Sequence, residues 1–142
     1  MPAKSRFLPL LLLLVFIYPT YAQDNESPQL TVKQIMNELI TPASNTIWGA
    51  YQLQTDEEWA TVQKAAEEML VAGELLGNGG AGEGERELAA RAEWRIFTGQ
   101  MLEATRKVLS AVAARDEEAM SAAGNDDLYP PCESCHERFQ TR

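Results

Sequence analysis

From Val32 to Met120, apolar side chains recur every three or four residues, and no segment alternates with period two through β-branched residues. That spacing gives each helix one apolar stripe and leaves no strand to pair, so the chain is expected to be all-α. The first helix is expected to start after Ser27-Pro28, a cap residue followed by a first-turn proline. Its apolar positions are Val32, Ile35, Met36, Leu39, Ile40, Ala43, Ile47, Trp48 and Tyr51. Pro42 falls within that pattern and is expected to kink or split the helix, because proline lacks the N–H and its ring strikes the carbonyl four residues back. Thr55-Asp56-Glu57-Glu58 has the spacing of a capping box and opens a second helix. Glycine-rich residues 77–85 read as a flexible surface loop; a phosphate cradle there is disfavoured, since no strand precedes it and no Lys-Ser/Thr follows. A third helix is expected from Glu85 to Ala114 and a fourth from Asp116 onward. Four amphipathic helices with short connections predict an antiparallel four-helix bundle.

The N-terminus reads differently. Lys4 and Arg6 precede an apolar run from Leu8 to Tyr18, followed by Thr20-Tyr21-Ala22. Such an order predicts a secretory signal peptide over residues 1–22, leaving one domain over 23–142 and a periplasmic location. The rival is a membrane anchor, but a spanning helix needs about 20 apolar residues, and Pro9 and Pro19 bracket this run. Cleavage removes two of the 12 basic residues and none of the 21 acidic ones. A chain this acidic is not expected to bind nucleic acid or anionic membrane. Its acidity serves solubility, and any partner it steers would carry a basic surface patch.

The chain holds two cysteines and one histidine, all within YPPCESCHERF, residues 129–139. In a helix, Cys132, Cys135, His136 and Phe139 share one face, with Leu128 a turn earlier. Two thiols so spaced can each form a thioether with one vinyl group of a haem, and the adjacent imidazole can reach the iron. A disulfide across three residues would constrain little of the unfolded chain. A structural zinc site wants four ligands where three soft ones exist, and a redox dithiol expects a strand-and-helix context. The expected cofactor is therefore one covalently bound haem c, with His136 as the proximal ligand. Tyr129 before Pro130, and the two prolines themselves, predict a break around Leu128 to Pro131.

The absence of a second histidine excludes bis-His ligation, so a methionine thioether leads among protein ligands for the other axial face. Met36, Met69, Met101 and Met120 are the choices. Trp48, Trp59 and Trp94 lie on apolar stripes, where core packing is the default. The acidic clusters Asp56-Glu57-Glu58 and Asp116-Glu117-Glu118 fall at helix starts, where negative charge is favourable. They read as caps, and no enzymatic constellation is expected.

The motif CESCHERF on the last helix, the helix order and the segment TVKQIMNELITPASNTIWGA resemble the class II cytochromes c, that is, the cytochromes c prime and their low-spin relatives. The resemblance implies electron transfer, with the distal ligand drawn from the first helix, which is Met36. It also implies a basic group such as Lys33 near a haem propionate, and dimers are common in the family. Should Met36 not bind, the resemblance implies a five-coordinate iron open to NO or CO. A haem-free helical interaction module is the reading from a different class.

Overall fold

The structure, a computed structural model, describes residues 30–140; the expected signal peptide and the Ser27-Pro28 start lie outside them. All regular structure among the described residues is helical. The order is α1 (Val32–Gln34), a π-helical turn π1 (Ile35–Ile40), α2 (Thr41–Gly49), α3 (Asp56–Asn78), α4 (Glu85–Ala89), α5 (Ala92–Ala114), α6 (Glu117–Ala122), a second π-helical turn π2 (Ala123–Leu128) and α7 (Tyr129–Phe139). No described helix is long and apolar enough to cross a membrane.

Helix starts follow local chemistry. Thr31 and Gln34 form a capping box ahead of α1, as Thr55 and Glu58 do ahead of α3. Asp116 accepts a hydrogen bond from the Ala119 N–H at the start of α6. The Thr55–Glu58 box also holds the Glu58 carboxyl below its ordinary range, chiefly through hydrogen bonds from the Gln54 and Thr55 backbone.

The prolines behave otherwise than expected. Neither Pro42 nor Pro130-Pro131 breaks its helix: Leu128 and Tyr129 keep right-handed helical angles, with φ/ψ of −84°/−40° and −63°/−46°. Each proline instead follows a six-residue π turn. The Thr41 N–H reaches the Met36 carbonyl and the Tyr129 N–H reaches that of Gly124, both five residues back. The wider turn restarts the helix, so the prolines occupy its first positions, where a missing N–H is tolerated. The expected break becomes a one-residue widening.

The expected third helix is two. Arg91 is extended, with φ/ψ of −70°/141°, and separates α4 from α5. On one side of it, Glu85 accepts from the Val32 N–H at 2.9 Å; on the other, the Trp94 Nε1–H donates to the Leu76 carbonyl at 2.7 Å. The break lies between these two anchors, which bind different helices.

The glycine segment is an ordered clasp rather than a loose loop. The Ala81 N–H donates to the Leu30 carbonyl at 2.9 Å, and Glu85 also accepts from the Gly82 N–H at 2.8 Å. Gly80 is buried against the Glu85 carboxylate and the Val32 backbone nitrogen, leaving no room for a Cβ. Gly80→Ala is therefore expected to destabilise the fold by about 1–3 kcal/mol, the usual range for overpacking. Gly99 lies exposed inside α5 with nothing within 4 Å of a would-be Cβ. Gly99→Ala is expected to stabilise by about 0.5–1 kcal/mol through helix propensity. Denaturant unfolding of the two variants reads both signs.

α3 and α5 pack along their length; π1 and α2 cover α3, while α6, π2 and α7 cover α5. Small residues on the facing sides, such as Ala66, Ala72 and Gly73 on α3 and Ala104 on α5, permit the close approach. A Cβ on Gly73 would come within 2.8 Å of the Met101 methyl. Thr98 and Thr105 are buried but donate to the carbonyls four residues back, at 2.9 and 2.8 Å. No buried side-chain polar atom among the described residues lacks a partner.

Candidate functional site

π1 and α7, the helix that follows π2, both line one cavity of about 210 Å³. Met36 and Ile40 line it from π1, Ser44 and Trp48 from α2, and Leu76 from α3. Trp94, Phe97 and Met101 line it from α5, and Cys132, Cys135 and His136 from α7. The wall is mostly apolar and aromatic. It continues into two flanking hollows, both of which also contain His136.

The helical spacing places the three motif residues as expected. Cys132 and Cys135 are half-buried, free thiols. Burial pushes the Cys132 thiol up to about 11, with neighbouring Cys135 adding to the effect, and burial also raises Cys135. Thiols kept neutral by burial are poor redox nucleophiles, a role that needs thiolate. Among the described residues no group of three or more His, Cys, Asp and Glu side chains is assembled to hold a metal ion. Two neutral thiols and one imidazole on the edge of an aromatic-walled cavity form a donor set that fits covalent haem.

Met36 is half-buried and lines both the main cavity and one flanking hollow, each shared with His136 and Cys135. The structure thus brings together residues 100 positions apart in the chain. Met69 and Met120 are fully buried away from the cavity, and Met101 directs its methyl group toward Gly73. Lys33 is exposed, a turn before Met36, in the same flanking hollow. It is the sole Lys or Arg lining the cavity or its two flanking hollows among the described residues.

Other assignments change. Leu128, expected on the attachment face, is fully buried in the core and does not line the cavity. Of the three tryptophans expected in the core, Trp59 and Trp94 are there, Trp94 also lining the cavity, whereas Trp48 is a part-exposed cavity wall. Trp94 is held by its bond to Leu76 and Trp48 by a 3.0 Å bond from Nε1 to the Gly124 carbonyl. Phe139 meets Trp94 edge-on at 5.3 Å and Phe97 at 6.4 Å, centroid to centroid. Such edge-to-face pairs are favourable. Trp94 and Phe97, three apart, were the available signal for an aromatic wall on α5. Arg138 turns to Glu93 at 3.0 Å, an exposed pair of small energetic worth.

Compared with known proteins, the chain matches no family profile, no curated protein and no solved structure.

Proposed function

We propose that this chain is an exported, periplasmic monohaem c-type cytochrome of the class II type, an antiparallel four-helix bundle that transfers electrons. The carrying observation is the convergence of Cys132, Cys135 and His136 with Met36 on one apolar, aromatic-walled cavity. Four long helical stretches, 32–49, 56–78, 92–114 and 117–139, the middle two joined through the glycine clasp and α4, support the bundle. Bound there, haem supplies a one-electron iron couple. Cys132 and Cys135 would tether it as thioethers, His136 would serve as the proximal ligand, and the Met36 sulfur as the distal one, which would raise the potential. Trp94, Phe97 and Phe139 exclude water from one side, and Lys33 offsets a propionate charge. An acidic cytochrome suits a redox partner with a basic patch.

The test of Met36 is spectroscopic. The wild-type protein should be low-spin in both oxidation states and slow to take up CO when reduced. Met36→Ala should turn high-spin and bind CO promptly. A wild type that is already high-spin, with Met36→Ala unchanged, would select the alternative, a five-coordinate protein binding NO or CO.

A further inference from the structure

Three exposed aromatic side chains gather on one face: Trp48 at 41 % exposure, Tyr51 at 73 % and Tyr129 at 49 %. Trp48 and Tyr129 meet edge-on with centroids 6.2 Å apart. Both are held in place, Trp48 by its bond to Gly124 and Tyr129 by a 3.0 Å bond from its hydroxyl to Glu133. Tyr51 lines a hollow with Asn125 and Asp126, next along π2 from Gly124. These rings lie along the seam between the end of α2 and the π2–α7 junction.

The same seam is acidic. Glu133 and Glu137 line the hollow with Trp48 and Tyr129, while Glu117, Glu118 and Asp126 line the hollow with Tyr51. No Lys or Arg lines either one. None of the five carboxylates joins an ion pair among the described residues, whereas Asp56, Glu93 and Asp127 elsewhere each do. Glu117 accepts from the Gln52 and Leu53 N–H groups, and the charge of all five carboxylates is left without a cationic partner among those residues. Exposed aromatics within such a rim have the composition of a protein-docking face: anchors at the centre and steering charge around them.

We infer that this seam docks a one-electron redox protein whose contact surface carries a ring of Lys or Arg around an apolar centre; the inference rests on the cytochrome reading above. Charge decides the occupant. A second copy would set five carboxylates against five, because a two-fold interface joins identical patches. Anionic lipid or nucleic acid would meet the same repulsion. Cys132 and His136 line the hollow beneath Trp48 and Tyr129, so a partner seated there sits over the tethered group. One electron crosses; one protein is oxidised as the other is reduced, and no proton need move.

The test uses the haem-loaded protein and, as probe, a basic cytochrome c with a lysine ring around its exposed haem edge. Second-order electron-transfer rates are measured by stopped flow against ionic strength. Glu133→Lys with Glu137→Lys should slow transfer about tenfold or more at low salt, within the span of electrostatic steering. A control pair of equal charge, Glu67→Lys with Glu74→Lys on exposed positions of α3, should change it less than about twofold if steering is local to the face. The difference should vanish near 1 M salt, where screening acts over about 3 Å. Tyr51→Ala should also slow transfer with the absorption spectrum unchanged. If the first pair disturbs the spectrum, Glu118→Lys with Asp126→Lys repeats the comparison away from the motif. Equal slowing by face and control pairs, or none by either, overturns the docking face while leaving the cytochrome intact. A purified wild type without covalent haem overturns the cytochrome reading itself.

Discussion

Replacing Cys132 and Cys135 together with alanine is expected to abolish covalent haem. Each thiol supplies one of the two thioether bonds, and the sequence contains no third cysteine to substitute. Either single alanine variant should retain one bond, so haem stays with the denatured chain. The reduced pyridine adduct should then absorb at longer wavelength, because one vinyl group remains conjugated with the ring. Haem per chain, read from that adduct, should fall from one in the wild type to none in the double variant. An unchanged ratio in the double variant would mean that the thiols are not the tether.

Inserting one alanine between Leu128 and Tyr129 is the second large perturbation. In π2 one extra residue is already accommodated between Gly124 and Tyr129, whose backbone groups bond across five positions. π turns of this kind are commonly found at functional sites. A further residue placed after that widened turn should rotate everything downstream by about 100°, since an α-helix has 3.6 residues per turn. α7 would then carry His136 and both cysteines off the cavity that Met36 lines. The Cys-x-x-Cys-His spacing itself is untouched, so haem should still attach, but without the Met36 ligand. The insertion variant should show high-spin bands and prompt CO binding. Deleting Asn125 should instead return π2 to the four-residue ladder with α7 facing as before, because the wider turn spreads one more residue over nearly the same rotation, and should keep the wild-type spectrum. An insertion variant with the wild-type spectrum would show that the register of α7 does not set the Met36 bond.

The two π turns also mark where the fold was hard to read. Helix class was legible because apolar spacing of three and four is insensitive to one extra residue, and the caps at Thr55 and Asp116 are local signals. That same insensitivity hides a π turn. Pro42 and Pro130-Pro131 were therefore read against an unbroken four-residue ladder, on which they should kink or stop the helix. The Thr31–Gln34 capping box is a local signal equal to the Thr55 one, but Ser27-Pro28 just before it reads equally well as a helix start. The break at Arg91 left no local trace, since Ala89-Ala90-Arg91-Ala92 are good helix formers and tertiary anchors on either side decide it. The glycines of 77–85 signalled a turn but not that Glu85 would clasp the start of α1.

The candidate site divides along the same line. Cys132, Cys135 and His136 are near neighbours on one helix, so their common direction follows from helical geometry. Apolar spacing alone did not separate Met36 from Met69 and Met120; the resemblance pointed to the first helix, and the cavity lining sets Met36 apart from those two in the structure. That Trp94, a core residue, and Trp48 also wall the cavity was not legible, because a cavity wall and a core have the same apolar stripe. Their placement depends on the partner of each indole N–H, Leu76 or Gly124, and both contacts are tertiary.

The most direct test of the central claim is the intact mass of the exported protein, measured after denaturation. The account predicts the mass of the chain cleaved after Ala22 plus one haem. The mass of the cleaved chain alone, with free thiols or a disulfide, would contradict it.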